Sequence, residues 1–243
     1  MSFEEIIIGD ARLIHGDCRE VLPGLPKTAA IVSDPPYGIS YQHSGGGKGI
    51  HAGAKFGQHH NFGGQAIIGD DAPFDPAHLC DWPCVLFGAD HYAARLPCDG
   101  VFHVWDKDPR GQMEWDSFSD AELVWTNWRT RRRVFRFLWK GLCQQGGIPV
   151  KRMHPTMKPV EVMMWCIQML KKGTSVICDP YMGSGSTGIA AMNLGLNFIG
   201  VELDRKYFDT ACERIETAQR QAKLLQPDEK VGAGNTAIQE EML

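Results

Sequence analysis

The stretch VICDPYMGSGSTG, residues 176–188, decides the fold. It opens as a short apolar run, the signature of a buried strand, and halts at Asp179-Pro180. Glycines then bring the chain into STGIAAMNLG, which has helical character and closes on Gly195. A turn of this composition lets backbone approach a ligand closely, and the helix start offers free N–H groups to it. The next segment, NFIGVELD, reads as another strand, and its Glu202 stands 19 residues beyond Gly183. A Rossmann-type unit uses that spacing to put an acid on ribose hydroxyls, so the pattern is that of a nucleoside-cofactor site. Gly183, Gly185 and Gly188 satisfy G-x-G-x-x-G, which keeps an NAD-linked oxidoreductase open. A phosphate-binding Walker loop fits worse, because no lysine precedes the serine and threonine.

Working outward, residues 12–15 read as a short strand followed by a helical turn that starts at Asp17. TAAIVSD, residues 28–34, reads as a buried strand stopped by Pro35 and Pro36. Residues 40–65 are too glycine-rich to pack and are expected to form a long loop carrying Lys48 and Lys55. CVLFGADHYAARLP suggests a strand with a helix, and GVFHVWDK another buried strand. Helical spacing returns over 159–171 and in KYFDTACERIETAQRQAKLL. The reading is one α/β domain over residues 1–243: a catalytic half at about 12–126, a basic insertion at 127–153, a cofactor half at 154–216 and a frayed tail at 226–243. There is no internal repeat.

The composition excludes several classes. With 43% hydrophobic residues and a net charge of −4 the chain is neither disordered nor broadly basic, so an anionic partner must meet a local patch. Residues 127–153 supply one, with Arg129, Arg131, Arg132, Arg133, Arg136, Lys140, Lys151 and Arg152 and no acid: +8 there, −12 elsewhere. No apolar run reaches the length of a membrane span, and the N-terminus is acidic where a secretion signal would be basic. No membrane partner and a cytoplasmic location are expected, and the eight scattered cysteines suit reduced thiols. No metal is expected: the sets His43, His51, His59, His60 and His78, Cys80, Cys84, His91 lack the paired spacing of a zinc site.

At Asp34-Pro35-Pro36-Tyr37 a carboxylate stands at the carboxyl edge of a strand, where α/β sheets place ligands. The prolines stiffen the turn, and Pro36 has no N–H to consume the neighbouring carbonyl. Asp34 and the Pro35 carbonyl could take the two hydrogens of an amino group while Tyr37 stacks on the attached ring. An exocyclic amine on a nucleobase is a poor nucleophile because its lone pair is delocalised. Two acceptors draw it toward a tetrahedral shape that aims the lone pair at an electrophile.

DPPY at 34–37, HPTMKP at 154–159, DPYMGSGSTG at 179–188 and FIGVELDRKYF at 198–208 resemble the S-adenosylmethionine-dependent DNA amino-methyltransferases. The catalytic motif precedes the cofactor motif, which is similar to the permuted beta group with its small phage-type and orphan adenine-N6 members. The resemblance implies a Rossmann-like class I methyltransferase sheet with helices on both faces. It implies a cofactor site of Asp179, Tyr181, Gly183, Ser184, Gly185, Ser186 and Thr187, with Glu202 on the ribose, Thr156 and Lys158 near the methionine carboxylate and Asp17 near the adenine. Serine commonly opens the first motif in cytosine-N4 enzymes; here that position is Asp34, with Ser33 one place early, so adenine is favoured over cytosine-N4 or RNA adenine. The resemblance also admits a homodimer, a common state in that family.

An enzyme working on a base inside a duplex must extrude it. NWRTRRRVFRFLWKG, with aromatics between cations, is expected to hold DNA phosphates through Arg129, Arg131, Arg132, Arg133, Arg136 and Lys140, with help from Lys48 and Lys55. An inactive DNA-binding module stays open as an alternative. Trp105 and Lys107 in HVWDK are candidates to line the pocket. Pro83-Cys84 and Pro97-Cys98 lack the flanking residues of carbon-five cytosine methyltransferases and carry little weight.

Overall fold

The computed structural model describes residues 3–40, 67–97, 99–111, 119–140, 143–145 and 156–225. In chain order these form β1 (Glu4–Ile8), β2 (Ala11–His15), α1 (Cys18–Val21), β3 (Ala29–Ser33), β4 (Cys84–Phe87), β5 (Val101–Asp106), β6 (Ala121–Thr126) and β7 (Val134–Arg136). Then come β8 (Trp139–Lys140), β9 (Cys143–Gln144), α2 (Val160–Gln168), β10 (Val176–Asp179), α3 (Ser186–Asn193), β11 (Asn197–Glu202) and α4 (Arg205–Leu225). Nine strands make one sheet in the order β1-β2-β11-β10-β3-β4-β6-β5-β7, and β8 and β9 form a small ribbon. The central five, β2 to β4, are parallel. β1 closes one edge antiparallel to β2, while β6 and β5 add antiparallel strands on the other side, with β7 parallel to β5.

Strand alternation divides the core. β3 is buried at every residue, as expected of a parallel strand covered on both faces. Leu13, Val32, Ile177 and Phe198 point to one side and pack with Met163 and Cys166 of α2, Ala190 of α3, and Phe208 and Ile215 of α4. Ile14, Ile31, Cys178 and Ile199 point to the other, where Cys18 of α1 meets Leu22, Phe74, Leu79 and Tyr92. The α/β class is as expected; the second face, however, is covered by the one-turn α1 and by 3-10 turns at Leu22–Gly24, Ala77–Leu79 and Ala93–Arg95.

The helix expected after β4 is one of those 3-10 turns. Gly88 takes φ +62 with the Tyr37 ring only 2.1 Å from where a Cβ would sit, and Tyr92 Oη donates back to the Phe87 carbonyl at 2.7 Å. The chain is folded back too tightly there to start an α-helix. The acidic N-terminus is strand β1, whose acids are spent on ion pairs: Glu5 with Arg12 at 2.7 Å and Glu4 with Arg205. Its pattern is hard to read because Ile7 is exposed on this edge strand. α4 starts on the carboxylate of Asp204, which accepts from Lys206 N at 2.8 Å.

Residues 41–66, with Lys48 and Lys55, and residues 226–243 lie outside the described residues. Among those described, no helix is long and apolar enough to cross a membrane.

Candidate active site

β10 and β3 are parallel neighbours whose chains depart to opposite sides, β10 to β11 and β3 to β4. At such a switch point the carboxyl ends part and a crevice opens. Here it is a cleft of 1320 Å³ whose lining includes Asp17, Asp34, Tyr37, Thr156, Asp179 and Glu202. Across the switch point, Ser33 Oγ donates to Asp179 Oδ1 at 2.6 Å, which ties the end of β3 to the end of β10.

The glycine loop is braced from beneath. Asp179 also accepts from Tyr181 N at 3.1 Å and from Thr187 Oγ1 at 2.5 Å. Burial pushes its carboxyl up to about 6, although these hydrogen bonds pull the other way. Asp179 and Thr187 are thus buried braces between β10, β3 and α3, facing protein partners on most sides. Gly183, Ser184, Ser186 and Thr187 reach the cleft lining. Gly185 is absent from it and instead lies on α4, with a Cβ position 3.1 Å from Ala211. Gly188 serves packing too, its Cβ position being 2.7 Å from Ile215 and 2.8 Å from Phe198. Ser184 accepts from Arg214 on α4 at 2.9 Å.

Glu202 closes the glycine-loop side of the cleft. Its carboxylate accepts from Gly183 N and Asp204 N, both at 2.8 Å, so it is aimed by the loop it faces. Burial raises its carboxyl above the usual range, and these N–H groups oppose that. Asp17 caps α1 and holds Arg19 at 2.9 Å on the cleft rim. Tyr181 hydrogen-bonds His78 at 3.1 Å and meets Phe74 edge-on, forming an aromatic wall.

On the other side, the Asp34 turn enters a buried cluster of alternating charge. Asp34 Oδ1 accepts from Tyr37 Oη at 2.5 Å and Oδ2 from Lys158 Nζ at 2.7 Å. Lys158 also lies 3.2 Å from Glu122 Oε2, and Lys107 Nζ donates to Glu122 Oε1 at 2.9 Å. Burial pushes the Asp34 carboxyl up against the pull of Lys158. For Lys158 burial opposes the charge, but Asp34 and Glu122 outweigh it and the ammonium is held. Glu122 is lowered: burial works to raise it, and the Lys158 and Lys107 charges prevail. The Tyr37 phenol, raised by burial and by Asp34, stays protonated and donates, while its ring stacks on His91 at 5.1 Å. Buried Asp70 anchors the far side of the turn, accepting from Gly38 N at 2.7 Å.

The sequence-expected residues fall into two groups, one inside the cleft and one outside it, and Lys158, expected beside a methionine carboxylate, instead has its ammonium on Asp34 at 2.7 Å and 3.2 Å from Glu122. Asp34, Pro35, Pro36, Tyr37, Asp17, Thr156, Lys158, Tyr181 and Glu202 share the cleft, with Trp105 and Lys107. Lys140, expected to meet phosphate, stands in the cleft lining with its side chain 1% exposed, paired with Asp108 at 3.5 Å and Asp120 at 2.5 Å. Arg129, Arg131, Arg132, Arg133 and Arg136 are exposed, yet none lines the cleft. Arg129 pairs with Asp99 at 2.8 Å, Arg132 donates to the Phe102 carbonyl and Arg136 approaches Asp106 at 3.5 Å. β7 runs parallel to β5 with Val134 opposite Val104, so the arginines follow the sheet edge from its amino end up to the cleft side. Lys151 and Arg152 lie outside the described residues. Sequence reasoning missed Glu122 and Asp70. Glu122 had a signal, an acid within the apolar strand AELVWT.

Residues 104–213 match the DNA methylase family, named for its N6 and N4 methyltransferases. YubD of Escherichia coli (strain K12), named provisionally as a methylase, is 26% identical over 238 residues, covering 86% of this chain and 92% of that protein. The type II methyltransferase M.HinfI of Haemophilus influenzae is 40% identical over 65 residues, 27% of this chain and 18% of its own length. The solved PvuII DNA methyltransferase, cytosine-N4-specific, is similar with a TM-score of 0.51 over 88% of this chain and 93% of that one, at 13% identity. The fold is the Rossmann-like class I methyltransferase fold.

Proposed function

We propose that this chain, matched over residues 104–213 to the DNA methylase family, is a beta-group DNA methyltransferase that moves a methyl group from S-adenosylmethionine to N6 of adenine. The observation that carries the reading is the single cleft into which both the Asp34 turn and the Gly183–Glu202 corner open.

The residues present fit that cofactor. Glu202, aimed by two N–H groups, offers acceptors to a ribose diol, and Asp17 stands on the rim near the Tyr181 and His78 wall for the adenine. Gly183 and Ser184 face the methionine end and Thr156, in the same lining, its carboxylate; Asp179 and Thr187 hold the loop from below. When bound, the cofactor supplies a methyl group on a positively charged sulfur.

The chain's own residues prepare the nucleophile. Asp34 and the Pro35 carbonyl grip the hydrogens of the adenine amino group, and the Tyr37 ring, backed by His91, stacks on the base. The amino nitrogen gains a carbon and must lose a proton, and Asp34, with its raised carboxyl, is the base at hand. Duplex DNA is held along the edge that carries Arg131, Arg132, Arg133 and Arg136, with Arg129, Lys48 and Lys55 as further contacts. Extruding the base costs a few kcal/mol of stacking, which these phosphate contacts offset.

The test is product analysis. Duplex DNA is incubated with the purified chain and methyl-labelled S-adenosylmethionine, digested to nucleosides and separated. Label in N6-methyladenine is expected. Label in N4-methylcytosine would move the specificity to cytosine, and transfer to RNA alone would remove DNA as the substrate.

A further inference from the structure

The Asp34 carboxylate that must grip an amino group is already engaged at both oxygens, by Tyr37 Oη and by Lys158 Nζ. Its side chain is only 16% exposed, so a newcomer has little open flank to approach. The ammonium on Oδ2 occupies the kind of place the target amino group needs: a nitrogen donating hydrogen to the same acceptor. Whatever frees Oδ2 must give that buried charge somewhere else to go, because a buried ammonium without a carboxylate is strongly disfavoured.

Glu122 is built to receive it. Its Oε1 is pinned by Lys107 at 2.9 Å, so the carboxylate is held in one orientation. Its Oε2 is buried, makes no hydrogen bond among the described residues, and lies 3.2 Å from Lys158 Nζ. A shift of roughly 0.4 Å would bring that contact to ordinary charge-assisted length. Two ammonium groups and two carboxylates alternate along the cluster, so a move of Lys158 from Asp34 toward Glu122 leaves its total charge unchanged.

We infer that Glu122 is a positioning residue that gives the Lys158 ammonium a second seat, so that Asp34 can release it and take hold of the target amino group. This rests on the proposed amino-methyl transfer. Glu122 touches neither base nor cofactor; it acts through Lys158. Besides Lys158 and Glu122, the titratable groups felt at Asp34 are Tyr37, Tyr92 beside the 3-10 turn, Asp179 of β10 and Cys166 of α2. None of these others is a cation that could replace Lys158.

The experiment is a double-mutant cycle on the full chain, read as kcat, KM for duplex DNA and the pH profile of kcat, using labelled S-adenosylmethionine. E122Q is expected to lower kcat about tenfold or more, with KM for DNA changed less than about twofold, because the ammonium now belongs to Asp34 alone. The acid limb of its profile should move to lower pH, since Asp34 loses a repulsive neighbour and keeps its counter-charge. K158M should move that limb to higher pH. Added to K158M, E122Q should change kcat less than about twofold, since its route of action is gone. Effects that multiply, or an acid limb of E122Q that stays or rises, overturn the inference. Should E122Q fold poorly, the charge-balanced pair E122Q/K107M is read in the same cycle. A wild-type chain that transfers no methyl overturns the functional reading and this inference with it, whereas active wild type with multiplying effects overturns this inference alone.

Discussion

Replacing Lys140 with methionine separates a phosphate contact from a structural ion pair. The Lys140 side chain is 1% exposed and Asp108 5%, whereas Asp120, its other partner, is 83% exposed. The exposed contact to Asp120 contributes little, on the order of 0–1 kcal/mol, because water and salt screen it. The loss is therefore set by the buried half of the network, where Lys140 lies 3.5 Å from Asp108. Breaking a buried pair from one side costs about 3–5 kcal/mol. The 3.5 Å separation is long, which argues for the lower end, about 3 kcal/mol. For a chain of 243 residues each kcal/mol lowers Tm by about 2–4 °C, so K140M should melt roughly 6–12 °C below wild type. The companion assay is DNA affinity against salt concentration. K140M should keep the wild-type slope, whereas neutralising Arg131, Arg132 and Arg133 together should flatten it by up to about 2.7, near 0.9 for each phosphate released. An unshifted Tm for K140M together with a flatter slope would return Lys140 to the DNA face.

Three further outcomes follow from the cleft. Asp34→Asn removes a carboxylate acceptor from the target amino group and should cut methyl transfer by at least about 10²-fold, while labelled cofactor still binds in equilibrium dialysis; near-normal transfer would remove Asp34 from the chemistry. Glu202→Gln should raise the Kd for S-adenosylmethionine about ten- to a hundredfold by calorimetry, the worth of a charged hydrogen bond; an unchanged Kd would take Glu202 off the ribose. The Asp179 carboxyl is raised from 3.8 to about 6, so its protonated form favours the fold: that stability is complete below about pH 3.8 and is lost as pH rises through about 6. Asp179→Asn should flatten this part of the Tm profile between pH 4 and 7, and an identical profile would show that Asp179 does not titrate there.

Much of the glycine-loop side could be read because its residues are neighbours in sequence as well as in space. A strand, a glycine turn and a helix, with an acid at the end of the next strand, are bound together by the local geometry of one βαβ unit. Asp34-Pro35-Pro36-Tyr37 was legible for the same reason: its prolines constrain the chain whatever surrounds them. Gly185 shows where this local reading stops. Its φ of +82 was foreseeable from the turn, but that it presses on Ala211 of α4 rather than on a ligand depends on where a helix 26 residues later comes to lie.

The charged cluster around Asp34 was hidden because its partners are far apart along the chain. Lys158 meets Asp34 across 124 positions, and it reaches Glu122 because β6 lies beside β4. The arginine stretch makes the same point about charge. Residues 127–153 contain no acid, so the segment reads as an unbroken +8. In the fold β7 lies against β5 and β5 against β6, and these strands and their turns bring Asp106, Asp108 and Asp120 within reach of Arg136 and Lys140. Sheet neighbours therefore decide which of these cations stay open to solvent: Arg131 and Arg133 are exposed on the edge, whereas Lys140, a few residues on, is buried beside Asp108.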